Sequence, residues 1–345
     1  MEKKDLIKKL RELLSGIQYH IPEFFYEGEA EGCEPFVANH QFTITENADM
    51  SKHTSFRAGG SALALIEVEN MKQLMEVLRF ADEERIPHLL LGNGSNTLFR
   101  DSGYEGLVIK LGCSFGHMSI ENEDTINGRS VKKKSKGEKF IVHCGASMLL
   151  STAAAFMRDE GLTGLEFASG IPGSIGGAVF MNAGAYGGEM KDIVRGVQAV
   201  SPDGRQTKVF SHDELDFGYR HSALQDNGWI ATKVMLDMTA GDKSDIAAVM
   251  KDLNARRNAK QPVNYPSAGS TFKRPEGYFA GKLIEDAGLR GLTVGGAQVS
   301  TLHSGFIINK EGATATDILQ LISLVQNTVY DKFGVMLEPE VRIIG

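Results

Sequence analysis

The sequence predicts an α+β protein built from more than one lobe, and three observations support that class. The chain has 345 residues, more than one small core can serve, so two or three lobes are expected. Strand patterns and helix patterns are interspersed along its length, closing in an αβ-type segment. Seven glycines (Gly170, Gly173, Gly176, Gly177, Gly184, Gly187 and Gly188) crowd residues 169–189 among apolar neighbours, which marks a folded segment and not a linker.

The elements follow in order. Residues 1–14 are charged and amphipathic, with Leu6, Leu10, Leu13 and Leu14 on one face and no apolar signal-peptide core. Residues 1–45 read as a leader helix and a loosely structured acidic connector. A strand over 63–68 leads to a helix capped by Asn70 and ending near Arg85. A strand over 88–91 runs into Gly92-Asn93-Gly94-Ser95-Asn96, and another spans 106–111. Residues 117–140 are polar and carry Lys132-Lys133-Lys134. They read as a solvated hairpin insertion, with an anion-binding patch as the alternative. A strand over 140–144 and a helix over 147–160 precede the glycine block, within which Ser174 opens a short helix. Strands over 193–200 and 207–210 flank the turn Pro202-Asp203-Gly204. A strand over 229–239 and a helix over 242–260 follow, ended by Pro262 and Pro266. The last segment reads as a helix over 278–287, strands over 295–299 and 305–308, a helix over 316–333 and a strand over 341–344. Ile318, Ile322, Val325, Val329 and Phe333 recur on one helical face of the long helix.

Composition excludes some functions. A hydrophobic content of 42% and a charged content of 23% are those of an ordinary globular protein. The net charge of -7 argues against a general nucleic-acid binder, so an anionic ligand needs a local cluster of cations. Cys33, Cys113 and Cys144 are odd in number and widely spaced, which suits a reducing compartment and gives no metal or disulfide pattern. The nine histidines form no helix-face pair. No window reaches the length of a membrane span. A cytoplasmic protein with no metal, membrane or nucleic-acid partner is expected.

Three motifs carry chemistry. The 92–96 loop is neither a P-loop nor a Gly-x-Gly-x-x-Gly turn, but its glycines and amides suit a nest for a pyrophosphate. The glycine block suits a phosphate or a flat ring held by backbone N–H groups. Two such elements suit a long ligand with a central diphosphate, and FAD outside a Rossmann fold is the better reading. In Tyr265-Pro266-Ser267-Ala268-Gly269-Ser270-Thr271-Phe272-Lys273-Arg274-Pro275, a hydroxyl follows a glycine beside two cations. No Gly-x-Ser-x-Gly turn is present, so Ser270 is structural, a donor to an anion, or a general acid. Arg220 in Gly218-Tyr219-Arg220-His221-Ser222 and Glu340 in Leu337-Glu338-Pro339-Glu340 read by themselves as surface or ion-pair groups.

Taken in order, these motifs resemble the UDP-N-acetylenolpyruvoylglucosamine reductase family, flavoenzymes of early peptidoglycan synthesis. The resemblance spans residues 50–345. It rests on His53-Thr54-Ser55-Phe56-Arg57-Ala58-Gly59-Gly60, 91–96, 170–188, Gly218-Tyr219-Arg220, Gly269-Ser270-Thr271-Phe272-Lys273 and Leu337-Glu338-Pro339-Glu340. No long tyrosine-bearing insertion separates Arg220 from Ser270, as in the family's shorter second type. The leader and the 117–140 segment are longer than the family pattern. The resemblance implies two FAD-binding lobes of the vanillyl-alcohol-oxidase-like (PCMH) type, over 46–112 and 113–241, and an α/β substrate lobe over 242–345. It implies a UDP-N-acetylmuramate dehydrogenase that uses NADPH to reduce UDP-N-acetylglucosamine enolpyruvate. Ser270, Arg220 and Glu340 would be catalytic. Arg57, Gly92, Asn93, Gly94, Ser95, Asn96, Gly170, Ile171, Pro172, Gly173, Ser174, Gly177, Asn182, Ala185 and Tyr186 would hold FAD. Lys273, Arg274, Tyr278, Lys282, Gln298 and Asn309 would face the sugar nucleotide. The glycine loops contain no histidine to tether a flavin, so non-covalent FAD is expected, in a monomer or weak homo-oligomer. The rival readings are a FAD-dependent sugar or lactone oxidase and a non-catalytic nucleotide-sugar binding module.

Overall fold

The computed structural model describes residues 3–17, 42–121, 125–126, 129–130 and 134–345. Most of the expected connector, with Cys33, Lys132 and Lys133, lies outside the described residues.

The first half of the chain runs α1 (Lys3–Ser15), β1 (Thr43–Asp49), β2 (Ser61–Val68), α2 (Met71–Glu83), β3 (His88–Leu90), β4 (Thr97–Phe99), β5 (Tyr104–Leu111), β6 (Met118–Ile120), β7 (Thr125–Ile126), β8 (Arg129–Ser130), β9 (Lys139–Gly145), α3 (Leu150–Glu160), β10 (Leu162–Thr163) and α4 (Ile175–Phe180). The second half continues β11 (Gly184–Ala185), β12 (Gly188–Glu189), β13 (Val194–Val200), β14 (Thr207–Ser211), α5 (Leu224–Asn227), β15 (Ile230–Ala240), α6 (Lys243–Lys260), α7 (Ala280–Asp286), β16 (Thr293–Val294), β17 (Ala297–Val299), β18 (Ile307–Asn309), α8 (Ala315–Phe333) and β19 (Arg342–Ile344).

Contacts divide the chain into two compact units, neither of them one continuous stretch. The first comprises the described parts of Met1–Thr45, Leu65–Gly92 and Val108–Asn254. The second comprises Glu46–Ala64, Asn93–Leu107 and Ala255–Gly345.

In the first unit an antiparallel sheet runs in the order β14-β13-β15-β9-β6, with β10 also paired to β15. Along β15, Val234, Leu236 and Met238 alternate inward, as a half-buried strand requires. They share a core with Val142, Leu150, Met157, Ile175 and Val197. The leader helix is present, but its buried face holds Ile7, Leu10 and Leu14, while Leu13 stands exposed at the border of that stripe. Lys9 pairs with Glu84 and lies over the Phe80 ring, which docks α1 against α2. Asn70 caps α2 by accepting from the Gln73 amide, as the sequence indicates. The chain becomes regular at Thr43 and not after 45, because β1 begins there. Lys134 departs from a solvated loop: its Nζ lies 2.9 Å from Glu160, and both side chains are less than a tenth exposed. That pairing also removes Lys134 from any anion-binding patch.

In the second unit β16-β17-β18 form a small antiparallel sheet, and β19 lies parallel to β4. Helix α8 buries Ile318, Leu321, Ile322, Val325 and Val329 against Ala297, Val299 and Ile307. Phe333, expected on that face, is 39% exposed because the helix ends there, at Gly334 in the left-handed conformation. Helix α7 starts at Ala280 and not at Tyr278, because a turn through Gly277 (φ +74°) closes with the Tyr278 amide on the Pro275 carbonyl.

Candidate active site

The glycine block is built around Ser174. Its hydroxyl caps α4 by accepting from the Gly177 amide at 3.3 Å. The next two amides are also engaged: Ile175 donates to the Met148 carbonyl and Gly176 to Ala146. The α4 amino end is therefore satisfied by the protein, and the expectation that these N–H groups face a phosphate does not hold for those three. Among the described residues, the Gly170 and Gly173 amides donate to no protein acceptor. Gly92 packs directly on this block: a Cβ added there would sit 2.7 Å from the Ser174 hydroxyl. Beyond α4, β11 and β12 form a hairpin whose two-residue turn is Tyr186-Gly187, placing Ala185 and Tyr186 at its tip. Tyr186 adopts φ +54° and is 46% exposed.

Arg220 lies in the same unit, in a tight turn closed by mutual bonds between Gly218 and His221. Four contacts tie this turn and the residues just after it to the end of α4 and the segment that follows. Asn182 Nδ2 donates to the Gly218 carbonyl at 2.8 Å, and Ser222 Oγ donates to the Phe180 carbonyl at 2.9 Å. Gln225 Nε2 donates to the same Phe180 carbonyl at 2.7 Å, and Arg220 Nη2 reaches the Gly184 carbonyl at 3.3 Å. Glu189 is held below the usual carboxylate range, first by its bond to Lys191 and further by the Asn182 amide and the charge of Arg220. Asn182 is fully buried, and its amide oxygen accepts from the Lys191 amide. Its side chain is thus a protein clamp.

The second unit assembles Ser270 and Glu340. Thr271 is fully buried. Its amide donates to the Gly305 carbonyl and its hydroxyl accepts from the Ile307 amide. The adjacent Ser270 is exposed, after Gly269 at φ +75°. The segment bearing Glu340 runs alongside: the Glu340 amide donates to the Thr271 carbonyl at 2.8 Å, and the Lys273 amide to the Glu338 carbonyl at 2.8 Å. Asn96 Nδ2 donates to the Glu340 carbonyl at 3.1 Å, which joins the 93–96 loop to the same segment. That loop meets the 53–57 stretch so closely that a Cβ on Gly94 (φ +63°) would lie 2.1 Å from the His53 carbonyl oxygen. Asn309 is buried. It donates to the Phe56 carbonyl and accepts from the Ala313 amide, so it shapes the turn at Arg57.

The expected substrate residues divide by environment. Lys273 pairs with Glu338 at 2.5 Å, and Lys282 pairs with Asp286 at 2.6 Å on one face of α7. The Arg274 guanidinium stacks 3.9 Å from the Phe279 ring centre and donates to the Tyr278 carbonyl. Tyr278 and Phe279 stand exposed beside it. Gln298 donates to the Gly291 carbonyl and the Thr293 hydroxyl, and it borders a cavity of about 200 Å³ with Gln261, Tyr265 and Lys310.

Backbone strain points to the same residues. Seven described non-glycine residues have positive φ, and four of them are sequence candidates: Arg57 (+53°), Asn182 (+41°), Tyr186 (+54°) and Arg220 (+56°). Such conformations cost of order 1–3 kcal/mol each and collect at functional sites. Sequence reasoning missed Gln225, which has no motif of its own; only the fold brings it to the Arg220 turn.

These residues fit a flavin. Within the first unit the Gly170 and Gly173 amides offer backbone donors, and Gly92 leaves room beside Ser174 that a side chain would fill. The fold and the cradle define a FAD-binding protein of the α+β class, and a model of FAD-binding domains matches residues 62–209. A model of the C-terminal domain of UDP-N-acetylenolpyruvoylglucosamine reductase matches residues 261–344. The reductase of that name from Clostridioides difficile strain 630 is 49% identical over 302 residues, covering 88% of this chain and 93% of its own. The one from Alkaliphilus oremlandii strain OhILAs is 47% identical over 296 residues, covering 86% and 91%. The crystal structure of the Thermus caldophilus enzyme (MurB) superposes with a TM-score of 0.71 at 33% identity, over 88% of this chain and 99% of that one. The chain belongs to the UDP-N-acetylenolpyruvoylglucosamine reductase family.

Proposed function

We propose that this chain reduces the enolpyruvyl ether of UDP-N-acetylglucosamine enolpyruvate to the lactyl ether of UDP-N-acetylmuramate, using NADPH, in cytoplasmic peptidoglycan precursor synthesis. The observation that carries the reading is the pairing of the segment bearing Ser270 with the segment bearing Glu340, through Glu340 N–H and the Thr271 carbonyl. This arrangement belongs with the family membership above. A sugar or lactone oxidase has no need of Ser270, Arg220 and Glu340 together.

The substrate double bond is conjugated to a carboxylate. FAD held there and reduced by NADPH would supply the hydride that adds to C3. Negative charge then builds on C2 and the carboxylate oxygens. The Arg220 guanidinium grips that carboxylate and stabilises the developing charge. Glu340 helps in either of two ways: as a protonated acid, or by orienting a cation. The Ser270 Oγ–H delivers the proton to C2; so weak an acid suits a strongly basic carbanion. Arg57, the 92–96 loop, 170–174, Gly177, Asn182, Ala185 and Tyr186 form the flavin site, with Asn182 acting through the backbone it clamps. Lys273, Arg274, Tyr278, Lys282, Gln298 and Asn309 form the nucleotide side. The working lobes are 46–112, 113–241 and 242–345, in a monomer or weak homo-oligomer.

The test is spectroscopic. The purified protein should carry the absorbance of oxidised flavin. NADPH should bleach it, and the enolpyruvyl substrate should restore it while gaining two hydrogens in mass. A protein that stays colourless and refuses added FAD overturns the proposal.

A further inference from the structure

Arg220 adopts φ +56°, a conformation that an arginine does not hold without support. Its turn is a two-residue hairpin with Tyr219 and Arg220 at the tip, closed by the Gly218 and His221 bonds. The neighbouring α5 carries Gln225. The Gln225 side-chain Nε2 donates to the Arg220 carbonyl at 3.0 Å and to the Phe180 carbonyl at 2.7 Å. Two carbonyl acceptors fix which end of the side chain is the NH₂ group. Phe180 is the last residue of α4, the helix of the glycine block, and its carbonyl also accepts from the buried Ser222 hydroxyl. One amide group therefore fastens the backbone of Arg220 to the carboxyl end of the helix that Ser174 caps.

We propose that Gln225 is a positioning residue of the reduction: its amide holds Arg220 in the left-handed conformation and sets the guanidinium's direction relative to the glycine block. The inference rests on the reading of Arg220 as the cation that grips the substrate carboxylate. Gln225 touches neither substrate nor cofactor. It acts through two carbonyls, and it matters when charge develops on the substrate, not when NADPH reduces the flavin.

Two variants test this in the FAD-loaded protein. Gln225→Met keeps the length and removes the donor. Gln225→Glu keeps the shape and turns a carboxylate toward two carbonyl oxygens. The two half-reactions are followed separately by stopped flow, and hydrogen exchange is read at the amides of 218–221. Reoxidation by the enolpyruvyl substrate should slow by about 10- to 100-fold, while bleaching by NADPH stays within about twofold and exchange at the turn accelerates. Should Gln225→Glu fail to fold, Gln225→Met carries the same comparison. Wild-type reoxidation in Gln225→Met overturns the inference, as does an equal loss in both half-reactions or unchanged exchange at the turn. If instead the wild-type flavin is not reoxidised by the enolpyruvyl substrate, the proposed function itself fails.

Discussion

Ser270 and Thr271 divide two tasks between neighbouring positions. Thr271 is buried and fixed by backbone partners on both sides; Ser270 leaves its hydroxyl exposed. Ser270→Ala therefore removes the proposed proton donor and little of the fold. NADPH should still bleach the flavin, and reoxidation by substrate should fall about 10²–10⁴-fold in stopped-flow traces. A variant that turns over at the wild-type rate removes Ser270 from the chemistry. Arg220→Met should slow the same half-reaction, and an effect confined to NADPH oxidation would move Arg220 away from the substrate. Asn182 is a different case. The sequence marks it through the glycine block, yet its buried amide serves the Gly218 carbonyl, Glu189 and the Lys191 amide. Asn182→Ala should cost about 1–3 kcal/mol in urea unfolding, because it empties a buried site and strands two part-buried backbone groups. Motif residues are legible in a sequence because their spacing is local. The partners of Asn182 and Gln225 are not, because they depend on which carbonyls the fold turns toward them.

Helix α8 shows what an element discloses about itself. Its apolar period is plain in Ile318, Ile322, Val325 and Val329, and Thr314 and Asp317 close a capping box at its start. A further carboxylate, Asp101, accepts from the Ala315 and Thr316 amides, and no sequence pattern announces it. Both acids lie below the usual carboxylate range. Asp317 is lowered chiefly by the Thr314 amide. At Asp101, partial burial pulls upward, but the bonds from Thr316 and Ala315 outweigh it. A depressed native pKa stabilises the fold above the unfolded carboxylate value and loses that stabilisation as pH falls through the native value. Asp317→Asn should therefore destabilise by about 0.5–1 kcal/mol at neutral pH. The gap from wild type should close on acidification below the ordinary aspartate value, as read from chemical denaturation at several pH values. Strand β4 was not legible, because Thr97–Phe99 is a strand by virtue of its distant parallel partner β19. The caps at Asn70 and Ser174 were, because a cap is written within four residues.

The two units of the molecule are each assembled from separated stretches of chain, so residues 46–112 contribute to both. Sequence reading names the α+β class from the mixture of elements, but it cannot see which distant stretches share a core. The flavin belongs to this scale. No histidine stands in the glycine loops, so heat should release FAD into the supernatant and leave a white precipitate. Colour retained on the precipitate would show a covalent link. Added FAD should also raise the melting temperature, by an amount equivalent to about 2.7 kcal/mol at a hundredfold excess over Kd. The parallel ladder between β19 and β4 has a practical consequence. The Arg342 amide donates to the Asn96 carbonyl and the Arg100 amide to the Ile344 carbonyl, with Glu340 just upstream. Carboxypeptidase shaving of the final few residues should thus unzip the anchor of an acidic side chain and of a glycine loop in one stroke, and enzyme activity should decay in step with the length of the trimmed tail.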